Sequence, residues 1–401
     1  METIHLQISD ETLRDGEQQV GIFFESETKR TLAHRIAATG VHQIALMPAI
    51  HATEEHLVKT LLQEGLRQQL VASTMMAQPL IDQAKACGVG QIILFNAVSD
   101  RLLFLRDAAI RCHPIYATKT IDDTIPQPVI NRIRQSMIET VLKHLRYAAS
   151  LGLKICFAAE DASRADFDFL VECIHSFKPY LQQFLLCDTV GILTPEKTYI
   201  WMHDLLEYTQ HAPLSVHFHN DMGLALENTI QAVQAGATGI SGTFGGIGER
   251  AGNVALEQVL NGLRLRFGWE VDGIDYDALV HVTDLLDQLN LHAHPPYSRP
   301  AQRCETGIHI NSILRDRHSY VIFPYAEPEI WFGKCSGASN FQYLFEHYLR
   351  RPLSRDQYER LRSTIKVLSI QQQRSFSLTE VVEMIEQGLL EVEASLSNEH
   401  D

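Results

Sequence analysis

The sequence lacks an excess of positive charge. It carries 34 lysine and arginine residues against 49 aspartate and glutamate residues, which gives a formal net charge of −15. Because nucleic-acid binding relies on clustered basic side chains, this balance argues against DNA or RNA as a partner. A local basic pocket for a small anionic metabolite is still compatible with it.

Long apolar runs, a basic leader and paired cysteines are also missing. Residues 1–5 show no basic region followed by an apolar core, so we expect no signal peptide. No apolar run approaches the roughly 20 residues of a membrane-spanning helix, so we expect no membrane segment. The seven cysteines form no Cys-x-x-Cys pair, which predicts mostly buried thiols in a reducing, cytoplasmic setting.

Short strand-like runs recur along the first two thirds of the chain. They lie at residues 4–9, 43–47, 70–74, 91–96, 154–159, 184–188, 214–219 and 238–243, separated by helix-like stretches such as 26–39 and 253–267. Eight such repeats predict an α/β fold, a (β/α)8 TIM barrel over residues 1–270. An open doubly wound sheet is the alternative.

The strand rhythm ends near residue 270. Residues 271–401 predict a mainly helical C-terminal region with one irregular segment at 292–339. Within the barrel, residues 101–135 are predicted to form the longest irregular insertion, because they contain Pro114, Pro126 and Pro128. In a chain of 401 residues, this organisation fits one large domain and a smaller one.

Polar side chains follow several of the predicted strands. Asp15 follows the first strand, Glu160 and Asp161 the fifth, Asp188 and Thr189 the sixth, and the glycine run 245–248 the eighth. Because ligands of such barrels bind where the strands end, these residues predict one active site. Solvation of the barrel rim by Glu160 and Asp161, and simple chain turning at the glycines, are the alternatives.

His217 and His219 are two residues apart on a predicted strand, so both side chains point the same way. Two imidazoles and a carboxylate form a common divalent-metal set, and Asp15 would supply the carboxylate. Three simpler explanations stay open. The histidines could fill a polar barrel layer, Asp15 could cap a helix or pair with Arg14, and Asn253 could cap a helix at 254–264.

Arg14 is a fixed, planar cation next to the proposed metal ligand Asp15. Such a guanidinium could stabilise a developing enolate or hold the carboxylate of a keto acid. A surface salt bridge is the alternative.

Five motifs, in this order along the chain, carry a family resemblance. They are Leu13-Arg14-Asp15-Gly16-Glu17-Gln18, Glu160-Asp161-Ala162-Ser163-Arg164, Asp188-Thr189-Val190-Gly191, His217-x-His219-Asn220-Asp221 and Gly248-x-Arg250-Ala251-Gly252-Asn253. They resemble the DRE-TIM metallolyase superfamily, also called HMGL-like, with its pyruvate carboxyltransferase domain. Within it, the chain is similar to the homocitrate, isopropylmalate and citramalate synthases, and most similar to the homocitrate synthase of nitrogen fixation.

This resemblance implies roles for particular residues. Asp15, His217 and His219 would bind a divalent metal (Mg2+, Mn2+ or Zn2+), with Asn253 in or near the same shell. Arg14 would steady the oxyanion, and Gln18, Glu160 and Thr189 would line the keto-acid pocket. His309 would act as general base or acid with Tyr320 as its helper, in a loop that reaches the partner's barrel in a domain-swapped homodimer.

The implied activity is an acyltransferase reaction of amino-acid biosynthesis, in which acetyl-CoA condenses with a 2-oxo acid in a Claisen-type step. An isopropylmalate- or citramalate-type synthase, or a specialised-pathway synthase on a non-standard oxo acid, is the first alternative. We expect no leucine-sensing domain after residue 401, which makes a feedback-regulated isopropylmalate synthase the less favoured alternative. A carbon–carbon lyase or a non-catalytic metabolite sensor is a further alternative, although the glycine loop 245–248 lacks the lyase cysteine.

The chain also departs from the pattern of these synthases. Ala45 stands where relatives carry a glutamate, Leu102 and Cys335 stand where they carry histidine, and Cys156 stands where lysine-pathway enzymes carry an arginine. These changes predict an altered oxo-acid pocket. Arg101 is a candidate replacement anchor for a substrate carboxylate.

Overall fold

The computed structural model describes residues 1–323 and 327–390. It divides into two compact units. The first is Met1–Gln19 with Phe24–Ala301, and the second is Val20–Phe23 with the described part of Gln302–Asp401.

The described strands follow the alternation expected from the sequence. They are β1 Glu2–Ile4, β2 Gln7–Asp10, β3 Gln43–Leu46, β4 Leu70–Met75, β5 Gln91–Ala97, β6 Lys154–Glu160, β7 Gln183–Asp188, β8 Leu214–Phe218, β9 Gly239–Gly242, β10 Trp269–Val271, β11 Arg303–Cys304, β12 Glu329–Phe332 and β13 Phe376–Ser377.

Strands β2 to β9 close into a parallel eight-stranded barrel. The barrel closes where β2 pairs with β9, with Gln7 opposite Gly239 and Asp10 opposite Gly242. The predicted TIM barrel is therefore confirmed, and the open doubly wound sheet is excluded. The predicted strand 4–9 is wrong in one respect, because β1 leaves the barrel and pairs with β10 instead.

Helices cover the outside of the barrel and form much of the second unit. They are α1 Ser26–Ala38, α2 Ala52–Gln63, α3 Gln78–Cys87, α4 Asp100–Arg106, α5 Ala108–Cys112, α6 Gln127–Ser150, α7 Phe167–Phe177, α8 Pro195–Tyr208, α9 Ala225–Ala235, α10 Leu256–Phe267, α11 Tyr276–Gln288, α12 Gly307–Ile313, α13 Ala338–Gln342, α14 Arg355–Gln372 and α15 Leu378–Glu386. Side chains mark several starts. Asp166, for example, accepts a hydrogen bond from the backbone of Phe169 at the start of α7.

The two faces of the barrel strands are distinguished by their packing. Phe157 of β6 and Phe184 of β7 contact Phe177 of α7, with ring centroids 5.0 and 6.5 Å away, so these positions face the helices. Their neighbours Ala158 and Leu185 therefore point into the barrel, because side chains alternate along a strand.

The first unit extends past residue 270, the predicted boundary, to Ala301. Helix α11 packs against α1 and belongs to the barrel unit. Arg35 donates a hydrogen bond to the carbonyl of His281 at 2.8 Å, and Asp275 donates its N–H to Thr39 at 2.9 Å.

Two segments predicted to be irregular contain regular structure. Helices α4, α5 and the start of α6 occupy much of the insertion 101–135, because Ser99 and Asp107 cap α4 and α5 and Pro126 directly precedes α6. The segment 292–339 contains α12, β11 and β12. Strand β12 pairs with β11 and with β13, in a small three-stranded sheet of the second unit. Strand β13, the second partner of β12, lies outside the segment, so the sequence of the segment alone does not predict that β12 is a strand.

The thiols match the expectation from the sequence. Five of the seven cysteines are buried. Among the described residues, none of the helices combines the length and apolar character needed to cross a membrane.

Candidate active site

Asp15, His217 and His219 come together at the carboxyl ends of the barrel strands. The Nε2 atom of His217 lies 3.3 Å from Oδ2 of Asp15, and the Nε2 atom of His219 lies 3.9 Å from the same oxygen. One ligand atom from each residue lies within 4.8 Å of the others, and all three residues are buried. The strand spacing of the histidines and the loop after β2 thus produce the cluster that the sequence predicts.

Neighbouring residues orient this cluster. The Nδ1 atom of His217 lies 3.1 Å from the hydroxyl of Ser241 on β9, which turns Nε2 toward Asp15. The backbone of His219 pairs with that of Asn253 in an antiparallel bridge. Gly248 makes room for Asn253, because a Cβ atom at Gly248 would lie 2.2 Å from the Asn253 amide nitrogen.

The donor set fits a divalent metal ion. Ligand atoms that are about 2.1 Å from an ion, at angles of roughly 90–110°, stand about 3.0–3.4 Å from one another. The separations to Asp15 are close to this range. In addition, Oδ1 of Asn253 is buried without a hydrogen-bond partner, a cost that a nearby cation would offset.

The structure excludes helix capping by Asn253 and by Asp15, and it shows the pairing of Asp15 with Arg14 at 3.6 Å. Asn253 is not a helix cap, since α10 begins later and is preceded by Ala255. Asp15 precedes the short helical turn Gly16–Gln18 without capping it through its side chain. Although burial works to raise the pKa of Asp15, the Arg14 guanidinium and the two histidines hold that pKa well below its ordinary value. The carboxylate is therefore ionised, as a metal ligand must be.

Arg14 is held by three neighbours instead of lying free on the surface. Its Nε donates to Glu11 at 2.7 Å, and its Nη1 donates to Gln18 at 3.1 Å and lies 3.6 Å from Asp15. Burial works to lower the pKa of Arg14, but the carboxylates of Glu11 and Asp15 raise it above its ordinary value. The site therefore contains a fixed positive charge beside the proposed metal ligand.

Glu160 ends strand β6 and Thr189 directly follows strand β7, and hydrogen bonds connect the two strand ends. Arg106 donates two hydrogen bonds to Glu160, at 2.5 and 2.9 Å. The hydroxyl of Thr189 accepts the backbone N–H of Asp161 at 2.8 Å, and Asp161 also binds Arg164 at 2.6 Å. Glu160 is thus ion-paired rather than solvated at the barrel rim, and the role that the resemblance implied for it stays a prediction.

The remaining predicted site residues lie in other surroundings. Arg101 donates to Asp122 at 2.7 Å. His309 lies on helix α12 of the second unit, where a loop was expected, and its ring stacks on Tyr320 with centroids 4.0 Å apart. The structure thus brings together His309 and Tyr320, and the helper role implied for Tyr320 stays a prediction.

Three residues of the site received no role from the sequence. Ser241 orients His217, Arg106 pairs with Glu160, and Arg250 makes two hydrogen bonds to Asp221, at 2.7 and 2.9 Å. Arg250 also donates to the carbonyl of Thr189. The motif Gly248-x-Arg250 did contain a signal, because a buried arginine next to a glycine loop requires a carboxylate partner.

Comparison with known proteins now identifies the family. Residues 5–286 match the family model described as HMGL-like. The chain belongs to the HMGL-like family. It is 31% identical to the homocitrate synthase AksA of Methanothermobacter thermautotrophicus, over 85% of this chain and 83% of that protein. It is 30% identical to the homocitrate synthase of Saccharolobus solfataricus, over 89% of this chain and 72% of that protein.

Solved structures with this fold include an HMG-CoA lyase from Brucella melitensis, with a TM-score of 0.54 and 19% identity, covering 72% of this chain and 99% of that chain. The carboxyl transferase domain of Rhizobium etli pyruvate carboxylase matches with a TM-score of 0.52 and 13% identity, over 74% of this chain and 50% of that chain. At these identities the likeness concerns the fold alone. The expected relationship of this HMGL-like chain to homocitrate synthases is confirmed. The chain is therefore an acyltransferase that condenses acetyl-CoA with a 2-oxo acid.

Proposed function

We propose that Asp15, His217, His219 and Asn253 hold the divalent metal of a homocitrate-synthase-like condensing enzyme, with Arg14 as its oxyanion partner. The buried Asp15–His217–His219 cluster is the observation that carries this proposal. When bound there, the metal would polarise the keto group of the 2-oxo acid. Two imidazoles and one carboxylate suit Zn2+ or Mn2+ better than Mg2+.

Arg14 stabilises the negative charge that develops on the keto oxygen. Because Glu11, Asp15 and Gln18 fix the guanidinium in place, it needs little reorganisation as the charge forms. Gln18 and Thr189 line the binding site for the 2-oxo acid. Glu160 is ion-paired with Arg106, so its role is to link the carboxyl end of β6 to helix α4.

His309 removes a proton from the methyl group of acetyl-CoA. The carbanion attacks C2 of the oxo acid. As the carbon–carbon bond forms, the π bond of the keto group breaks, and the keto oxygen takes up a proton to become a hydroxyl. Water then cleaves the thioester, which releases CoA and leaves a carboxylate. The stacked ring of Tyr320 restricts the orientation of the imidazole. An imidazole nitrogen is the group most often used for such proton transfers.

Thiol release tests the proposed reaction. Purified protein is loaded with Mn2+, Zn2+ or Mg2+, and free CoA is measured with acetyl-CoA and a panel of 2-oxo acids, starting with 2-oxoglutarate. We expect CoA release that depends on both the metal and an oxo acid. Metal-loaded protein that releases no CoA with any oxo acid would contradict the proposal. Cleavage of a hydroxyacyl-CoA without acetyl-CoA consumption would instead indicate a lyase.

The domain-swapped homodimer is a further proposal, supported by the resemblance of the segment 306–309 to relatives. It is tested by mixing Asp15→Ala protein with His309→Ala protein after brief denaturation and refolding. If the two residues act in one site but come from different subunits, hybrid dimers regain up to about a quarter of the wild-type activity. Separate inactive variants that stay inactive when mixed would argue against the swap. The mostly buried cysteines, which include no Cys-x-x-Cys pair, support a cytoplasmic location for this dimer.

A further inference from the structure

An apolar row lies on the interior face of the barrel strands, beside the polar residues at the strand ends. Arg14 and Asp15 follow β2, Thr189 follows β7, and the two histidines lie at the end of β8 and directly after it. On the strands between, an apolar row crosses the interior face. Met75 of β4 pairs with Phe95 of β5, Phe95 pairs with Ala158 of β6, and Ala158 pairs with Leu185 of β7.

The apolar row reaches the metal cluster. Cys187 lies two residues after Leu185 on the same face, and it pairs in register with the metal ligand His217. Neighbouring strands are about 4.8 Å apart, so each step along the row is short enough for one small molecule to contact several of its members.

This interior face retains contact with solvent. Met75 is 41% exposed, an unusual value for a large apolar residue at a strand end. Cys156, Ala158, Leu185 and Cys187 keep 5–8% exposure, whereas Phe157, Ala159, Phe184 and Leu186 on the helix-facing side keep at most 2%. Apart from Glu160 at the end of β6, which is ion-paired with Arg106, small or apolar side chains therefore line this part of the interior.

The described cations at these strand ends are already bound to carboxylates. Two of them, Arg106 with Glu160 and Arg250 with Asp221, make paired hydrogen bonds. Arg14 binds Glu11, Arg164 binds Asp161, and Arg101 binds Asp122. A second substrate carboxylate would have to displace one of these partners or stay buried against apolar side chains, and both are costly.

We propose that the 2-oxo acid of this enzyme carries a single carboxylate and an apolar side chain, which lies along the row Met75–Phe95–Ala158–Leu185. The proposal rests on the condensation proposed above and narrows its substrate class. Under this proposal Arg101, which pairs with Asp122, does not anchor a second substrate carboxylate, in contrast to the role considered for it from the sequence.

Isosteric substrate pairs test this proposal. In 5-methyl-2-oxohexanoate an isopropyl group replaces the distal carboxylate of 2-oxoglutarate, and in 4-methyl-2-oxopentanoate it replaces that of oxaloacetate. We expect kcat/KM for CoA release to favour the isopropyl member of at least one pair by about tenfold or more. A preference for the dicarboxylate in both pairs overturns the proposal while leaving the condensation intact. Failure of all four substrates, with metal bound, counts against the condensation itself.

A charge placed on the row gives an independent test. Met75→Lys should raise kcat/KM for 2-oxoglutarate relative to 5-methyl-2-oxohexanoate by about tenfold or more, because it supplies a cation not committed to a carboxylate in the row. Leu265→Lys is the matched control, since Leu265 is an 82% exposed apolar residue on α10 and its substitution should leave the ratio unchanged. An unchanged ratio in Met75→Lys, or loss of dicarboxylate turnover in Arg101→Gln or Arg106→Gln, overturns the proposal.

Discussion

A single hydrogen bond orients one of the proposed metal ligands. Ser241 and His217 lie on adjacent strands, β9 and β8, and the contact between Oγ and Nδ1 leaves Nε2 directed at Asp15. Partners of this kind fix the orientation and basicity of a metal-binding imidazole. The site therefore depends on a small serine that does not itself reach the cluster.

The variant Ser241→Ala should weaken metal binding by about tenfold or more, because the ring of His217 loses its orienting contact. Affinity is measured by competition with a chelator of known strength. Ser73→Ala is a matched control within the same barrel, since the hydroxyl of Ser73 is buried without a hydrogen-bond partner. Equal metal affinities for the two variants would show that Ser241 has no orienting role.

Removal of the ligands themselves should have a larger effect. We expect Asp15→Ala and His219→Ala to retain no stoichiometric metal after dialysis, because each removes one of three close donors. His309→Ala should keep its metal and lose turnover. Metal content is measured by elemental analysis and turnover by CoA release. A His309→Ala protein with normal turnover would refute the proposed base.

At the scale of elements, a buried ion cluster joins the first helix to its surroundings. Lys29 of α1 is 1% exposed and binds Glu17 at 2.6 Å and Glu54 of α2 at 2.7 Å. Glu17 also accepts the backbone N–H of Phe24 at 3.1 Å. The loop that contains Arg14 and Asp15 is thereby tied to two helices of the barrel.

Lys29→Ala should lower the free energy of unfolding by about 3–5 kcal/mol, because two buried carboxylates lose their shared cation. The measurement is chemical denaturation followed by circular dichroism. Lys59→Ala removes an exposed cation that pairs with Glu55 one turn away on α2, and it should change stability little. Similar losses in both variants would show that the buried cluster contributes no more than a surface pair.

At the scale of the whole molecule, barrel closure buries a carboxyl group. Asp10 ends β2, and its carboxyl accepts hydrogen bonds from the hydroxyl and backbone N–H of Thr12. The hydroxyl of Thr12 accepts the N–H of Phe244, just after β9, the strand that closes the barrel. Burial raises the pKa of Asp10 to about 8, although the bonds from Thr12 act in the opposite direction.

This raised pKa predicts a fall in stability with rising pH. Below pH of about 4, Asp10 is protonated in both the folded and unfolded states, so it contributes no pH dependence. Between about pH 4 and pH 8, the unfolded chain loses the proton while the folded chain keeps it, and the free energy of unfolding decreases. Above pH 8, the contribution levels off.

Asp10→Asn should therefore flatten the pH dependence of stability between pH 5 and pH 8, which urea denaturation at several pH values measures. The asparagine cannot ionise, and its carbonyl can still accept a bond from Thr12. Parallel stability profiles for the two proteins would show that Asp10 ionises alike in both states.

Prediction from the sequence succeeds where the signal is local. Val, Ile and Leu runs bounded by turns locate the barrel strands to within one or two residues, apart from the run 4–9, which splits between β1 and β2. Prediction fails where a residue far along the chain determines which element a segment pairs with or packs against. Strand β1 leaves the barrel because residues 269–271 pair with it, and α11 joins the barrel unit because it packs on α1.

The sequence by itself determined the barrel, the metal-binding motifs and the family, because each depends on residue types at fixed short spacings. Only the tertiary structure decided how far Asp15 lies from the histidines, that Arg106 neutralises Glu160, and that an apolar row faces the metal cluster. These features arise when strands from distant parts of the chain come into register. Local spacing contains no information about that register, so these contacts are defined only in the folded barrel.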